Sequence, residues 1–430
     1  MVIRSVLYMF FNALNGLIPF ILLPILTTYL SPSDYGIVSL FQTTLEFAIP
    51  MIGLSMGFNI DQLFFKVSKQ ELAATLGNMI FLLGFTVFIV TILIYLGTFF
   101  SFFSFTGLQN NWLIIIPLMA GFSTLNTFNL ILLRNKDSVF KYGLWQIGLT
   151  AINLGLSLLF VISFAYGWEG RALGIVVATV VIGLLSLLNI YKMGYLNFAY
   201  NKEKFTSVLK FCFPLLLQGF GTFAIFQSNR YFINLNSGTS AVGIFSVASA
   251  FAAIMGIFQD AVVKTINPWF YKNLNQLNDE IKNKIVKMNL VIFIFLISFS
   301  VLIYFGSILL IKLMVDEQYH DATSLVFLLT LASAFNGMYR ISSNYFINLS
   351  KTKLLSNLTG FTSILCIILN YFLIQKYSVL GASYALCIGL FIQFVLTFII
   401  AQIIFPLPLK EVFSSYLSRV NIFNSKNLKE

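Results

Sequence analysis

Arg340 lies in an apolar stretch with Asn336, Asn344 and Asn348 spaced every four residues around it, so all four share one helix face. A guanidinium there presents five donors in a rigid fork, a geometry suited to a diphosphate or an acidic sugar. The same fork can instead clamp backbone carbonyls of a neighbouring helix, and spacing alone leaves both readings open. Glu46 sits midway along another apolar stretch, on a face shared with Ser39, Gln42, Pro50, Gly53 and Gly57. A carboxyl at that depth is protonatable, with a pKa that burial can move. It is a candidate coupling site for H+ or Na+, or a structural group bonding between helices. Asp260 and Lys264 are four apart near the end of a third stretch, placed to pair with each other or to greet an anionic head group. Asp260 is the second candidate coupling residue. Arg230, near the end of its stretch, either snorkels to the interface or serves the mouth of a cavity.

Neutral polar faces accompany these charges. Asn12 and Asn15 share a face with Tyr8 and Pro19, and Gln218, Thr222 and Asn229 share another. Amides suit sugar hydroxyls, yet they also hold membrane helices together at about 0.6–2 kcal/mol each. His320 reads as a solvated loop residue. Cys212, Cys366 and Cys387 are too scattered for a metal or redox motif and read as packing residues.

The elements carrying these residues must cross a membrane. A chain that is 58% hydrophobic and 10% charged cannot cover a soluble domain with polar surface. Twelve apolar stretches are expected to span as helices, near 6–29, 37–57, 74–97, 112–133, 142–165, 172–191, 211–233, 241–263, 287–311, 323–349, 355–374 and 379–404. The first runs well past the length of a signal-peptide core and is expected to remain as span 1.

Of the 26 Lys and Arg residues, 21 fall at the N-terminus, in the even-numbered connections or in the tail. The opposite connections hold four, Arg171, Arg230, Lys312 and Lys376, while Arg340 is inside a span. The positive-inside rule therefore predicts cytoplasmic termini. The net charge of +11 is a topology signal and an attraction to anionic membrane lipids, and nucleic acid need not be invoked.

The chain also repeats at half length. Gly36-Ile37-Val38-Ser39 recurs as Gly243-Ile244-Phe245-Ser246, Phe64-Phe65-Lys66 as Phe270-Tyr271-Lys272, and Gly170-Arg171-Ala172 as Gly381-Ala382-Ser383. An even number of spans per copy gives parallel repeats related by an axis along the membrane normal. The expected organisation is an all-α polytopic protein with a six-helix lobe at 1–193, a linker at 194–208, a second six-helix lobe at 209–404 and an amphipathic interfacial tail at 405–430. Two such lobes enclose a cavity, the architecture of alternating access. No connection is long enough for a catalytic domain, which argues against an enzyme.

The run Leu22-Leu23-Pro24-Ile25-Leu26-Thr27-Thr28-Tyr29-Leu30-Ser31-Pro32-Ser33-Asp34-Tyr35-Gly36 resembles the opening signature of polysaccharide transporters of the multidrug/oligosaccharidyl-lipid/polysaccharide (MOP) exporter superfamily, the O-antigen and capsule flippases. Leu209-Lys210-Phe211-Cys212-Phe213-Pro214 and Asn229-Arg230-Tyr231 match more weakly, and Asn229 stands where family members often carry Asp. The resemblance implies twelve helices in two bundles, a bacterial inner-membrane location and export of undecaprenyl-diphosphate-linked oligosaccharide. It implies no cofactor beyond a coupling ion, and a polysaccharide polymerase and chain-length regulator as partners. A multidrug cation antiporter of the same superfamily is the alternative, and a non-transporting component of a polysaccharide assembly complex is another.

Overall fold

A computed structural model describes residues 2–274, 278–349 and 351–408. Ten helices among the described residues are long and apolar enough to cross a membrane, and they carry all twelve expected spans. Span 1 is α1 (Val2–Tyr29), and span 2 is α2 (Pro32–Gly53) continued by the short α3 (Gly57–Phe64). Spans 3 to 6 are α4 (Lys69–Phe99), α5 (Asn110–Asn135), α6 (Val139–Leu158) and α7 (Gly167–Lys192). Span 7 is α8 (Lys202–Phe226) together with the first residues of α9 (Asn229–Leu274), whose remainder is span 8. Spans 9 and 10 are α10 (Asp279–Met314) and α11 (Thr323–Asn348), and α12 (Thr352–Ile404) holds spans 11 and 12. The protein is a multi-pass, all-α membrane protein.

The helices α9 and α12 have 46 and 53 residues, about 70 and 80 Å as straight rods, against a hydrocarbon core of about 30 Å. Both fold back on themselves, at Gly238 (φ 80°) and Ser378 (φ 52°). Arg230 and Ser246, which a straight helix would hold about 24 Å apart, both reach Ser39, at 3.1 and 2.6 Å. A Cβ on Gly389 would lie 2.3 Å from Cys366 Sγ across the second reversal. The two reversals adjoin each other, with Ser237 Oγ 2.7 Å from Ser378 Oγ.

The signature around residue 31 is a helix-starting device. Ser31 caps α2 by accepting from the Asp34 amide, the Asp34 carboxylate accepts from the Ser31 amide, both at 3.2 Å, and Pro32 occupies the first turn. Tyr35 then packs edge-on against Tyr319 of the second lobe, whose hydroxyl donates to Leu30 O at 2.7 Å. Gly36 permits the closest approach of the lobes: a Cβ there would stand 1.8 Å from Thr239 O, and one on Gly243 would stand 2.0 Å from Pro32 O. Gly36 and Gly243 are repeat equivalents, as are Ser39 and Ser246, whose hydroxyls bond directly at 2.6 Å. Equivalent residues touching one another mark the pseudo-two-fold axis, which passes through this turn end of the bundle. The main cluster of buried apolar residues crosses between lobes here, joining Leu40, Phe41 and Ile52 to Val242, Phe245 and Tyr319.

The linker is bound to the first lobe. Asn197 N donates to Ala73 O at 3.1 Å, Asn201 N to Asn78 Oδ1 at 2.9 Å, and Asn78 Nδ2 to Ala199 O at 3.1 Å. The helix that carries span 7 begins at Lys202, inside the stretch expected to be linker. The interfacial helix expected in the tail falls on residues 409–430, outside the described residues.

Candidate functional site

Span 2 brings Glu46 from the first lobe to Gln227 and Arg230 of the second. Gln227 Nε2 donates to a Glu46 carboxylate oxygen, and Arg230 Nη1 donates to Gln227 Oε1. The amide thus bridges an anion on one lobe and a cation beside it. Arg230 Nε donates to Ser39 Oγ at 3.1 Å, and its guanidinium lies over the Phe245 ring at 5.6 Å. Tyr231 OH donates to Thr44 Oγ1 at 2.9 Å, a second polar tie across the seam. Glu46 is accessible because it borders a cavity of about 350 Å³ between spans 2 and 7, lined also by Ser55, Thr222, Phe223, Phe226 and Gln227.

A second cluster lies within the second lobe. The Asp260 carboxylate accepts from Arg340 Nη2 at 2.7 Å and from Lys264, so the trio carries a net charge of +1. About a third of the Arg340 and Asp260 side chains and 42% of that of Lys264 stay accessible. Within the span 10 stripe, Asn344 fastens spans 8 and 10. Asn344 Nδ2 donates to Asn267 Oδ1 and its Oδ1 accepts from Tyr271 OH, both at 2.8 Å. Asn344 is 2% exposed, its side chain taken up by these two partners, while Asn336 is half-buried on the Arg340 face.

The span 1 amides turn toward span 5 of their own lobe. Asn12 Oδ1 accepts from Tyr142 OH at 3.2 Å and Gln146 Nε2 at 3.0 Å, and Asn15 Oδ1 accepts from Thr150 at 2.5 Å. Asn12 remains exposed and Asn15 half-exposed. The side chain of Gln218 lies outside the described residues. Glu46, Arg230 and Thr222 therefore meet at one seam, Asp260, Lys264 and Arg340 at another place, and the span 1 amides at a third.

Residues 3–274 match the family model described as polysaccharide biosynthesis protein. The chain belongs to this family. Two relatives from Haemophilus influenzae, named "Uncharacterized membrane protein" and "Lsg locus putative protein 1", are 26% and 24% identical over 62% and 63% of the chain. These alignments span 64% and 66% of the relatives' own lengths. In fold, this polysaccharide biosynthesis family member is similar to the lipid II flippase MurJ in an inward closed conformation, with a TM-score of 0.73, 16% identity and coverage of 100% and 93% of the two chains. It is also similar to an inward-facing multidrug resistance MATE family transporter of the MOP superfamily, with a TM-score of 0.68, 14% identity and coverage of 95% and 96%. The two-lobe MOP fold is thus the fold of this family member.

Two buried or bridging polar positions escape a sequence reading of the family member. Gln227 stands three residues before Arg230, a helical spacing that flags it only once Arg230 is known to face the seam. Arg171 reads as a loop charge and is instead 7% exposed inside α7, where Nη1 donates to Ser157 Oγ at 2.6 Å and to Asn153 Oδ1. Its neighbours Asn153 and Ser157, four apart on span 5, were the available signal.

Proposed function

We propose that the protein is a flippase that moves undecaprenyl-diphosphate-linked oligosaccharide units, of O-antigen or capsule type, across a bacterial inner membrane by alternating access. The observation that carries this reading is a cavity between two pseudo-symmetric lobes whose backbones meet at the turn end, with a net-positive cluster in the half beyond it. The Lys and Arg distribution puts that turn end outside. The fold also scores higher against the inward-facing MATE transporter, 0.68, than against an outward-facing one, 0.53, which supports an inward-facing state.

In this mechanism the cargo enters from the cytoplasmic side, its diphosphate meets Lys264 and Arg340, and its polyprenyl tail stays in lipid. The Asp260 carboxylate holds the two cations in place and limits their charge, so that binding stays reversible. H+ or Na+ at Glu46 would weaken its bond to Gln227 and loosen the tie between lobes. One charge moved through 100 mV supplies about 2.3 kcal/mol, enough to bias direction. A multidrug cation antiporter would need free carboxylates facing its cargo, whereas Asp260 already carries two cations and Glu46 is the one carboxylate among the described residues lining the cavity between spans 2 and 7.

Deleting the gene in its host tests the reading. Loss of a surface glycan with accumulation of its undecaprenyl-linked unit, restored by the native chain and not by Arg340→Ala, is the expected result. An unchanged glycan with altered resistance to cationic drugs would favour the antiporter.

A further inference from the structure

The pseudo-two-fold axis maps the seam between spans 1 and 8 onto that between spans 7 and 2, yet the two seams differ in chemistry. Between spans 1 and 8, Phe20 packs edge-on against the buried Phe251 at 4.9 Å. Ile257 Cδ1 lies 3.2 Å from where a Cβ on Gly16 would sit. These described contacts are apolar. At the repeat offset of 207 seen for Ser39 and Ser246, Phe20 and Phe251 correspond to Gln227 and Thr44. Both of these make polar ties across the other seam, to Glu46 and Tyr231. The seam between spans 2 and 7 borders the cavity of about 350 Å³, a volume within the range of about 300–1,000 Å³ typical of small-molecule sites.

Both helices bordering this cavity are interrupted beside it. Span 2 breaks where Leu54 and Ser55 adopt φ of 46° and 54°, and span 7 breaks between Phe226 and Asn229. Left-handed backbone at two successive residues with Cβ atoms is costly and concentrates at ligand sites. By contrast, span 1 runs unbroken from Val2 to Tyr29, and span 8 runs helical from the reversal at Gly238 to Leu274.

The lining combines one carboxylate, one amide, two hydroxyls and the rings of Phe58, Phe223 and Phe226. A carboxylate and an amide accept from and donate to vicinal hydroxyls, while the C–H faces of a pyranose suit the negative face of an aromatic ring. The same carboxylate repels a diphosphate or a uronic acid. We propose that the cavity between spans 2 and 7 is a saccharide subsite that receives the sugar portion of the cargo, and that Glu46 makes it selective for neutral or amino sugars over acidic ones. This assignment rests on the flippase reading and adds to it which end of the cargo sits where.

The test uses the full chain in nanodiscs and three synthetic short-chain polyprenyl diphosphates: one bearing a neutral N-acetylhexosamine disaccharide, one ending in a uronic acid, and one without sugar. The native protein is expected to bind the neutral probe at least tenfold tighter than the acidic one, and Glu46→Gln to shrink the gap to about threefold or less. Phe226→Leu is expected to weaken the neutral disaccharide severalfold and leave the sugar-free probe unchanged. If all three probes bind alike, or if Glu46→Gln leaves the discrimination intact, the saccharide subsite is overturned while the flippase reading stands. If folded native protein binds none of them, the flippase reading itself fails.

Discussion

Replacing Gly36 with Ala probes the contact on which single-ended closure depends. The new Cβ would stand 1.8 Å from Thr239 O, whereas a carbon–oxygen contact is ordinarily about 3.3 Å or more. The helix ends must therefore separate by roughly 1.5 Å. Overpacking of this kind costs about 1–3 kcal/mol; the 0.5–1 kcal/mol or so that Ala gains over Gly within a helix is common to the closed and open states and acts on Tm alone. A penalty of about 1–2 kcal/mol on the closed turn end lowers its population relative to the open one by about 5–30-fold. Cysteines at Ser33 and Thr239, whose hydroxyls are 2.7 Å apart, report that population through their rate of oxidation, with Cys212, Cys366 and Cys387 first replaced. Gly36→Ala and its repeat equivalent Gly243→Ala should each slow crosslinking about 5–30-fold. Gly84→Ala, with nothing within 4 Å of its Cβ, should leave the rate unchanged. An undiminished rate with Gly36→Ala, accompanied by a raised Tm, would refute the reasoning, because it would mean that helix propensity acts there without a lobe contact.

Glu46→Ala and Arg230→Ala should be non-additive by about 0.5–3 kcal/mol in a double-mutant cycle read by denaturation in detergent, since Gln227 couples the two charges; simple additivity would dissolve the bridge. Asp260→Asn should lower Tm and tighten binding of a sugar-free polyprenyl diphosphate severalfold, because it frees Lys264 and Arg340. Arg171→Ala should reduce stability by about 1–3 kcal/mol through orphaned Asn153 and Ser157, with the binding preference among probes unchanged. Gly77→Ala, whose Cβ would meet Asn197 O at 1.8 Å, should dislodge the linker and speed limited proteolysis between residues 195 and 201.

The spans and the repeat were legible because the bilayer imposes length and apolarity locally. Gly36 and Gly243 could be paired as equivalents from their offset, but nothing in the sequence says that equivalent residues meet each other; that follows only from where the axis passes. Partner choice was the illegible part. Asn12 and Asn15 mark a polar face of span 1, yet Tyr142, Gln146 and Thr150 of span 5 claim their carbonyl oxygens. The Arg340 stripe marks a buried face, yet Asn344 staples span 8 while Arg340 shares Asp260 with Lys264. Arg171 was misread because a charge a few residues into an apolar run looks like a loop residue until span 5 supplies Asn153 and Ser157.

The central claim is transport of a lipid-linked saccharide between two leaflets. It is tested most directly in proteoliposomes holding the purified chain and a polyprenyl-diphosphate-linked disaccharide, with an impermeant glycosidase added outside. The account predicts that cleavage proceeds well beyond the outer-leaflet half, and that Arg340→Ala returns it to that half. Cleavage that stops at one half with the folded native protein present would contradict it.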